Sequence, residues 1–255
     1  MHMKKNIIKL LLLIFTIISS NSYCQIKANV RVLYDIEFNT DFPIKANAIL
    51  YLNDSISQYQ VFNRDNVVSK HDLDVFIKLN TKNNNEFLET NILKNQIKFV
   101  ENILDNTYLV TENIKNINWN ITTEKKTIGS FECYKAIGSF RKRTYVVYFC
   151  PELQSSFGPW KLNGLPGLIL EAVELNNLLR IYIKQVDIAQ NNFTFFNFNN
   201  SSKSISLKEY IKLKENLHIM ITEQVNLKLP RGVKLEGISG ADNQNKIEIF
   251  DESDY

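Results

Sequence analysis

From Ala28 to Phe38, Val30, Val32 and Tyr34 alternate with Arg31, Leu33 and Asp35, a period of two that predicts a long strand. Phe42-Pro43 breaks it. Ala46 to Leu52 and Ile56 to Phe62 read as strands around the turn Asn53-Asp54-Ser55. Leu73 to Leu79, Ile97 to Val100 and Tyr108 to Val110 read as shorter ones, separated by polar runs such as Lys82-Asn83-Asn84-Asn85. Residues 131–150 predict two strands with Arg141-Lys142 as the turn between them, and Arg141-Lys142-Arg143 reads as a solvated basic turn. Leu168 to Leu175 and Leu178 to Val186 predict a second hairpin through Asn176-Asn177, since Asn tolerates the positive φ of a tight turn. In that register Glu171 faces Tyr182, with Arg180 and Lys184 diagonal to it as ion-pair partners.

Helical spacing appears once. Ser206-Leu207-Lys208-Glu209 is a capping box, followed by Tyr210, Ile211, Leu213, Leu217, Met220, Ile221 and Val225, with Pro230 as the latest stop. Lys246 to Phe250 is a candidate last strand, and the polar tail from Gly237 with its acidic end reads as mobile. The expected fold is mainly β (α+β): a curved antiparallel meander with one long C-terminal amphipathic helix packed on it.

The first residues change the setting. Lys4 and Lys5 precede an apolar run from Ile7 to Ile18, too short for a bilayer span, and Ser22 and Cys24 suit cleavage before Gln25. Residues 1–24 thus predict a secretory signal, with cleavage favoured over a lipid anchor at Cys24 because Tyr23 stands where a small residue belongs. A single domain follows over residues 25–240, with the tail at 241–255. The thirty basic residues, less the leader's Lys4, Lys5 and Lys9, match the 27 acidic ones. The mature chain is neutral, without the footprint of a nucleic-acid binder. It is expected in the periplasm or secreted, and not transmembrane once the leader is gone.

Beyond the leader, Cys133 and Cys150 are the cysteines. A two-residue turn at Arg141-Lys142 places them directly opposite each other at a non-hydrogen-bonded pair, about 4.5 Å between Cα atoms. That geometry admits a cross-strand disulfide, and equally two partly buried thiols. No Cys-x-x-Cys argues for redox catalysis. His71 and His218 read as surface or capping residues, and Asp72 and Asp74 as solvated acids on a strand edge. No catalytic residues, metal ligands or cofactor site are assigned, and Glu171 is read as an ion-pair partner rather than a general acid.

The most distinctive stretch runs Ser156-Phe157-Gly158-Pro159-Trp160-Lys161-Leu162-Asn163-Gly164-Leu165-Pro166-Gly167-Leu168-Ile169. It resembles the GLPGLI family, also called the Porph_ging domain, of exported bacterial proteins. Gly164 to Ile169 matches the naming hexapeptide, and Glu171, Ile128-Gly129, Cys133 to Ala136, Ser139 to Arg141 and Arg143 to Tyr145 look similar too. Cys150 departs from that likeness. The resemblance covers residues 128–173 and brings no established activity with it.

Read physically, Pro166 supplies φ near −65° and Gly167 the positive φ of a type II turn leading into the next strand. Functionally, Phe157, Trp160, Leu165 and Pro166 form a candidate apolar loop surface for a ligand or partner. The leading expectation is a non-enzymatic module that binds an envelope protein or peptide. The alternative is a periplasmic carrier of an apolar small molecule on a half-barrel sheet.

Overall fold

The structure, a computed structural model, describes residues 27–41, 43–66, 87–195, 202–236, 246–251 and 254. The leader, the predicted strand Leu73 to Leu79, and His71, Asp72 and Asp74 lie outside these residues. Among the described residues, twelve strands and two helices follow in order: β1 Lys27–Phe38, β2 Ile44–Leu52, β3 Ile56–Asn66, β4 Phe87–Asn91, β5 Gln96–Ile103, β6 Asn106–Asn113, β7 Asn120–Ile128, β8 Phe131–Phe140, β9 Arg143–Cys150, β10 Leu168–Glu174, β11 Leu179–Thr194, β12 Lys203–Ser206, α1 Leu207–Glu215 and α2 Leu217–Lys228.

The strands form one sheet in the order β12-β6-β5-β4-β3-β2-β1-β11-β10-β9-β8-β7. Neighbours run antiparallel except β12, which lies parallel to β6 at one edge. Two meanders, β2 to β6 and β7 to β11, meet where β1 pairs with β2 on one side and β11 on the other. The sheet curls strongly. Eight inter-strand steps separate β6 from β9 in that order, about 38 Å if flat, yet Glu112 on β6 touches Arg141 in the β8–β9 turn at 2.5 Å. Strand twist and register shifts in the β1–β11, β2–β3, β9–β10 and β7–β8 ladders supply the bend.

One continuous core fills the curl. Val32, Tyr34 and Ile36 of β1 are buried with Leu50, Tyr59, Val110, Val147 and Ile181 from neighbouring strands, the inward set of a period-two pattern. The segment between β9 and β10 enters this interior, with Leu153, Phe157, Leu162 and Leu165 all buried. The hydroxyl of Tyr34 donates to the carbonyl of Ile169 at 2.7 Å and ties the loop's exit to the central strand.

Both hairpin registers are as expected, although the second loop spans residues 175–178 rather than Asn176-Asn177 alone, with Asn177 left-handed at φ 66°. Phe140 pairs with Arg143 and Tyr134 with Phe149, while Glu171 pairs with Tyr182 and Ala172 with Ile181. Arg141 (φ 49°) and Lys142 (φ 58°) form the two-residue turn, both left-handed as a type I′ hairpin requires.

The helix departs from expectation: two short helices replace one long one. Asn216, with φ −88° and ψ −2°, ends α1, and its side chain donates to the Lys212 carbonyl at 3.0 Å. An Asn side chain that competes for helix carbonyls favours a break. α1 buries Leu207, Tyr210 and Ile211, and Tyr210 meets Phe99 of β5 edge-on at 5.3 Å. No residue of α2 is buried.

At the start of α1 the capping box is complete: Ser206 accepts from the Glu209 amide, and Glu209 accepts from the Ser206 amide at 2.8 Å. Ser206→Ala should therefore cost about 1 kcal/mol. A thermal melt checks this, with a drop of roughly 2–4 °C expected for a chain of this size.

Candidate functional site

The β8–β9 turn, the β9–β10 loop, the end of β6 and the C-terminal segment converge on a cluster of ionised side chains. The two-residue turn aims Arg141 into the curl, where its side chain is 1% exposed. The loop folds back on itself: the Gly164 amide donates to the Ser156 carbonyl at 2.8 Å, and Phe157 bridges Asn163. Trp160 sits at its tip in the left-handed region, φ 56°, and the next residue, Lys161, is buried.

Lys161 Nζ lies 2.6 Å from Glu112 Oε1 and 2.9 Å from Glu248 Oε1, and 4.2 Å from the centre of the Phe99 ring. Arg141 contacts Glu112 Oε2 at 2.5 Å, Glu248 Oε1 at 3.4 Å and the carboxylate of Asp254, which also meets Lys115. Burial disfavours the Lys161 ammonium, but the Glu248 and Glu112 carboxylates outweigh it and hold its pKa above the usual lysine value. Burial pushes the Glu248 carboxyl up, and Lys161 offsets only part of that. For Asp254, burial is overcome by Lys115, the Asp251 amide and Arg141, which keep its carboxyl below the ordinary range.

The C-terminal segment lies across this cluster like a bound peptide. Arg143 donates from Nε and Nη2 to the Lys246 carbonyl at 3.1 and 2.8 Å. The Ile249 amide donates to the Arg141 carbonyl at 3.2 Å, and the Arg141 guanidinium stands 4.8 Å over the Phe250 ring. Phe250 also meets Tyr210 edge-on at 6.4 Å. Asp251 faces Lys142 at 3.4 Å. No strand forms at Lys246 to Phe250. Most of the polar tail from Gly237 lies outside the described residues, but its acids Asp251 and Asp254 are ion-paired, the Asp254 side chain being 2% exposed. Of the basic turn, Lys142 is solvated as expected, whereas Arg141 and Arg143 are buried, because the curl brings acids from β6, β10 and the tail onto them.

The residues singled out in the loop take different places. Phe157 and Leu165 are buried at 2% exposure, Trp160 is half-buried and Pro166 is exposed. Trp160 packs edge-on against Phe140 at 5.6 Å and tilted against Tyr145 at 6.3 Å. With Ile36, Phe38, Tyr59, Val61, Leu179, Ile181 and Ile247 it lines a cavity of about 40 Å³. The hexapeptide's positive φ falls at Gly164 (+92°), not at Gly167. Gly167 is needed for another reason: a Cβ there would stand 2.4 Å from the Cys150 carbonyl oxygen.

Glu171 pairs at 2.6 Å with Lys126 of β7 rather than with Arg180 or Lys184. Those two are drawn to Asn177 and Glu37, and to Asp35. Among the described residues, no three His, Cys, Asp or Glu side chains are grouped to hold a metal ion.

Cys133 and Cys150 are buried and carry free thiols. The hairpin ladder ends at Tyr134 and Phe149, one step before them, and the Cys150 thiol lies close enough to raise the pKa of Cys133. Burial, then the Cys150 thiol, pushes the Cys133 thiol up to about 12. A raised acid pKa makes the folded state hold its proton after the unfolded chain has lost it, so this stabilisation is full below about pH 9 and fades toward pH 12. Tyr34 and Tyr145 are raised mainly by burial and act in the same direction. Denaturant melts from pH 8 to 11 should show stability falling with pH, with a shallower fall in Cys133→Ala. An equal slope in both would remove the cysteine from the account.

No family model matches the chain, and no curated protein matches it. Among solved structures, PNGF-II in a P21 crystal form superposes with a TM-score of 0.50 at 16% identity, over 75% of this chain and 34% of that one. Its C2 form gives 0.48 at 16% identity over 74% and 33%. An uncharacterized conserved protein from Thermus thermophilus gives 0.37 at 6% identity over 70% and 91%. The chain thus spans about a third of PNGF-II, and at this identity the likeness speaks to the fold.

Proposed function

We propose that this chain is an exported, non-catalytic module that binds a protein or peptide of the cell envelope, through the groove between the Trp160–Lys161 loop tip and the β8–β9 turn. The observation that carries this reading is the chain's own tail, residues Lys246 to Asp251 and Asp254, lying in that groove on main-chain and side-chain contacts. The leader sequence and the resemblance of residues 128–173 to the GLPGLI family favour export. The carboxylates in the groove each face a cation, which suits binding better than proton transfer. The cavity beside Trp160, lined by described residues, is about 40 Å³, against the several hundred Å³ a carried ligand needs, so that cavity does not support the carrier alternative.

Photo-crosslinking in intact cells tests the reading, with the reactive residue replacing half-exposed Lys142 at the groove's rim. A discrete protein adduct is the expected result. A bare protein carrying an extractable apolar molecule would transfer the assignment to a carrier.

A further inference from the structure

The groove has a charge pattern that specifies its ligand. Its body supplies Lys115, Arg141, Lys142, Arg143 and Lys161 against the acids Glu112 and Glu174. The missing negative charge comes from the tail, as Glu248, Asp251 and Asp254. The aromatic position is equally defined, since Phe250 sits between the Arg141 guanidinium and the Tyr210 ring. Ile247 meanwhile closes onto the small apolar cavity beside Trp160.

The tail fills this site imperfectly. Arg141 Nε and Nη1 are ion-paired but make no well-aligned hydrogen bond, and the buried Tyr145 hydroxyl has no hydrogen-bond partner among the described residues. Burial, then Glu248 and Glu174, disfavour ionisation of that hydroxyl, so it keeps its proton. A buried donor left unpaired is costly, and a better-placed acceptor would recover that cost. The tail is also held chiefly through side chains, with no ladder of strand hydrogen bonds.

We infer that the groove recognises an extended acidic peptide carrying an aromatic residue two positions after one carboxylate and one and four positions before two others, as Phe250 stands to Glu248, Asp251 and Asp254, and that the tail residues Lys246 to Asp251 with Asp254 are a tethered occupant competing with it. This rests on the binding-module reading and adds the ligand's chemistry. A tethered competitor lowers apparent affinity by the fraction of time it leaves the site free. Weakening the tail without touching the groove should therefore raise affinity for a peptide supplied in trans.

The test uses the full chain and a fluorescent peptide with the sequence of residues 246–255. Fluorescence anisotropy should show binding at least tenfold tighter to Phe250→Ala/Asp254→Asn than to the unaltered chain. Adding Lys161→Met to that variant should abolish the gain, and a scrambled peptide of equal charge should bind at least tenfold more weakly. Should the double variant melt too low, Asp254→Asn alone is used, with a smaller gain expected.

Equal affinity for the altered and unaltered chains overturns the tethered occupant. Equal affinity for the scrambled peptide overturns the ligand class and leaves bulk electrostatics. If a crosslinked partner is found at Lys142 but the peptide neither binds nor competes with it, the module reading stands and the ligand class falls. Failure of both experiments removes both.

Discussion

Lys161→Met should lower stability by about 3–5 kcal/mol, the cost of breaking a buried ion pair from one side. For a chain of this size that is a melting-temperature drop of roughly 10 °C or more. Methionine keeps the stem's volume beside Phe99 but leaves Glu112 and Glu248 facing each other in the interior without the ammonium between them. The remaining charge on Glu112 still has Arg141, so the chain should fold. The deficit should shrink as pH falls, because Glu248 has a raised pKa and its protonation removes one of the two repelling charges. Denaturant unfolding at pH 4.5 and 7.5 gives both numbers. A loss under about 1 kcal/mol at pH 7.5 would mean that water reaches the pair and the network is a surface feature.

Gly167→Ala should cost about 3 kcal/mol, at the upper end of what overpacking a tight interior costs, and more than Gly164→Ala. The comparison separates two reasons for a glycine. At Gly164 the backbone is left-handed (φ +92°) but the space is open, with Trp119 Nε1 at 3.9 Å as the nearest atom. An alanine there meets conformational strain alone, on the order of 1–2 kcal/mol. At Gly167 the φ is ordinary, but a methyl group would stand inside the contact distance of the Cys150 carbonyl carbon and of Pro151 N, at 2.6 and 2.7 Å. These are backbone atoms, so no rotamer change relieves the contact, and the β9–β10 pairing at Cys150 and Leu168 must open. Urea unfolding of the two variants gives the ranking directly, and the reverse order would restore the turn explanation for Gly167.

That pair of glycines shows where the sequence was readable and where it was not. Two glycines flanking Leu-Pro announce a tight loop, but positive φ and close approach leave the same letter in the chain. Hairpins were legible because turn length fixes register, and a single pairing sets every residue beyond it. Thus Phe140 with Arg143 sets Tyr134 against Phe149, one step short of the two cysteines. β7 escaped because its sequence, Asn120 to Ile128, is an exposed edge without apolar alternation. The charge cluster escaped for a different reason. Glu112, Arg141, Lys161, Glu248 and Asp254 come from four separate segments, and only the curl of the sheet brings them together. One signal was available: a lysine directly after Trp160, inside a loop otherwise built for burial, has to find an anion there.

The position of β1 sets an order of events in time. It lies in the middle of the sheet with β2 beside it, but its other neighbour is far along the chain, as Arg31 and its partner Asp187 are 156 residues apart. At a synthesis rate of about 5–20 residues per second, that partner follows by roughly 10–30 s. Throughout that interval the first meander has an unpaired flank at what will become its most buried position. Such a flank is open to pairing with other chains, so a chaperone that masks extended segments would matter most for the first strand and least for the last.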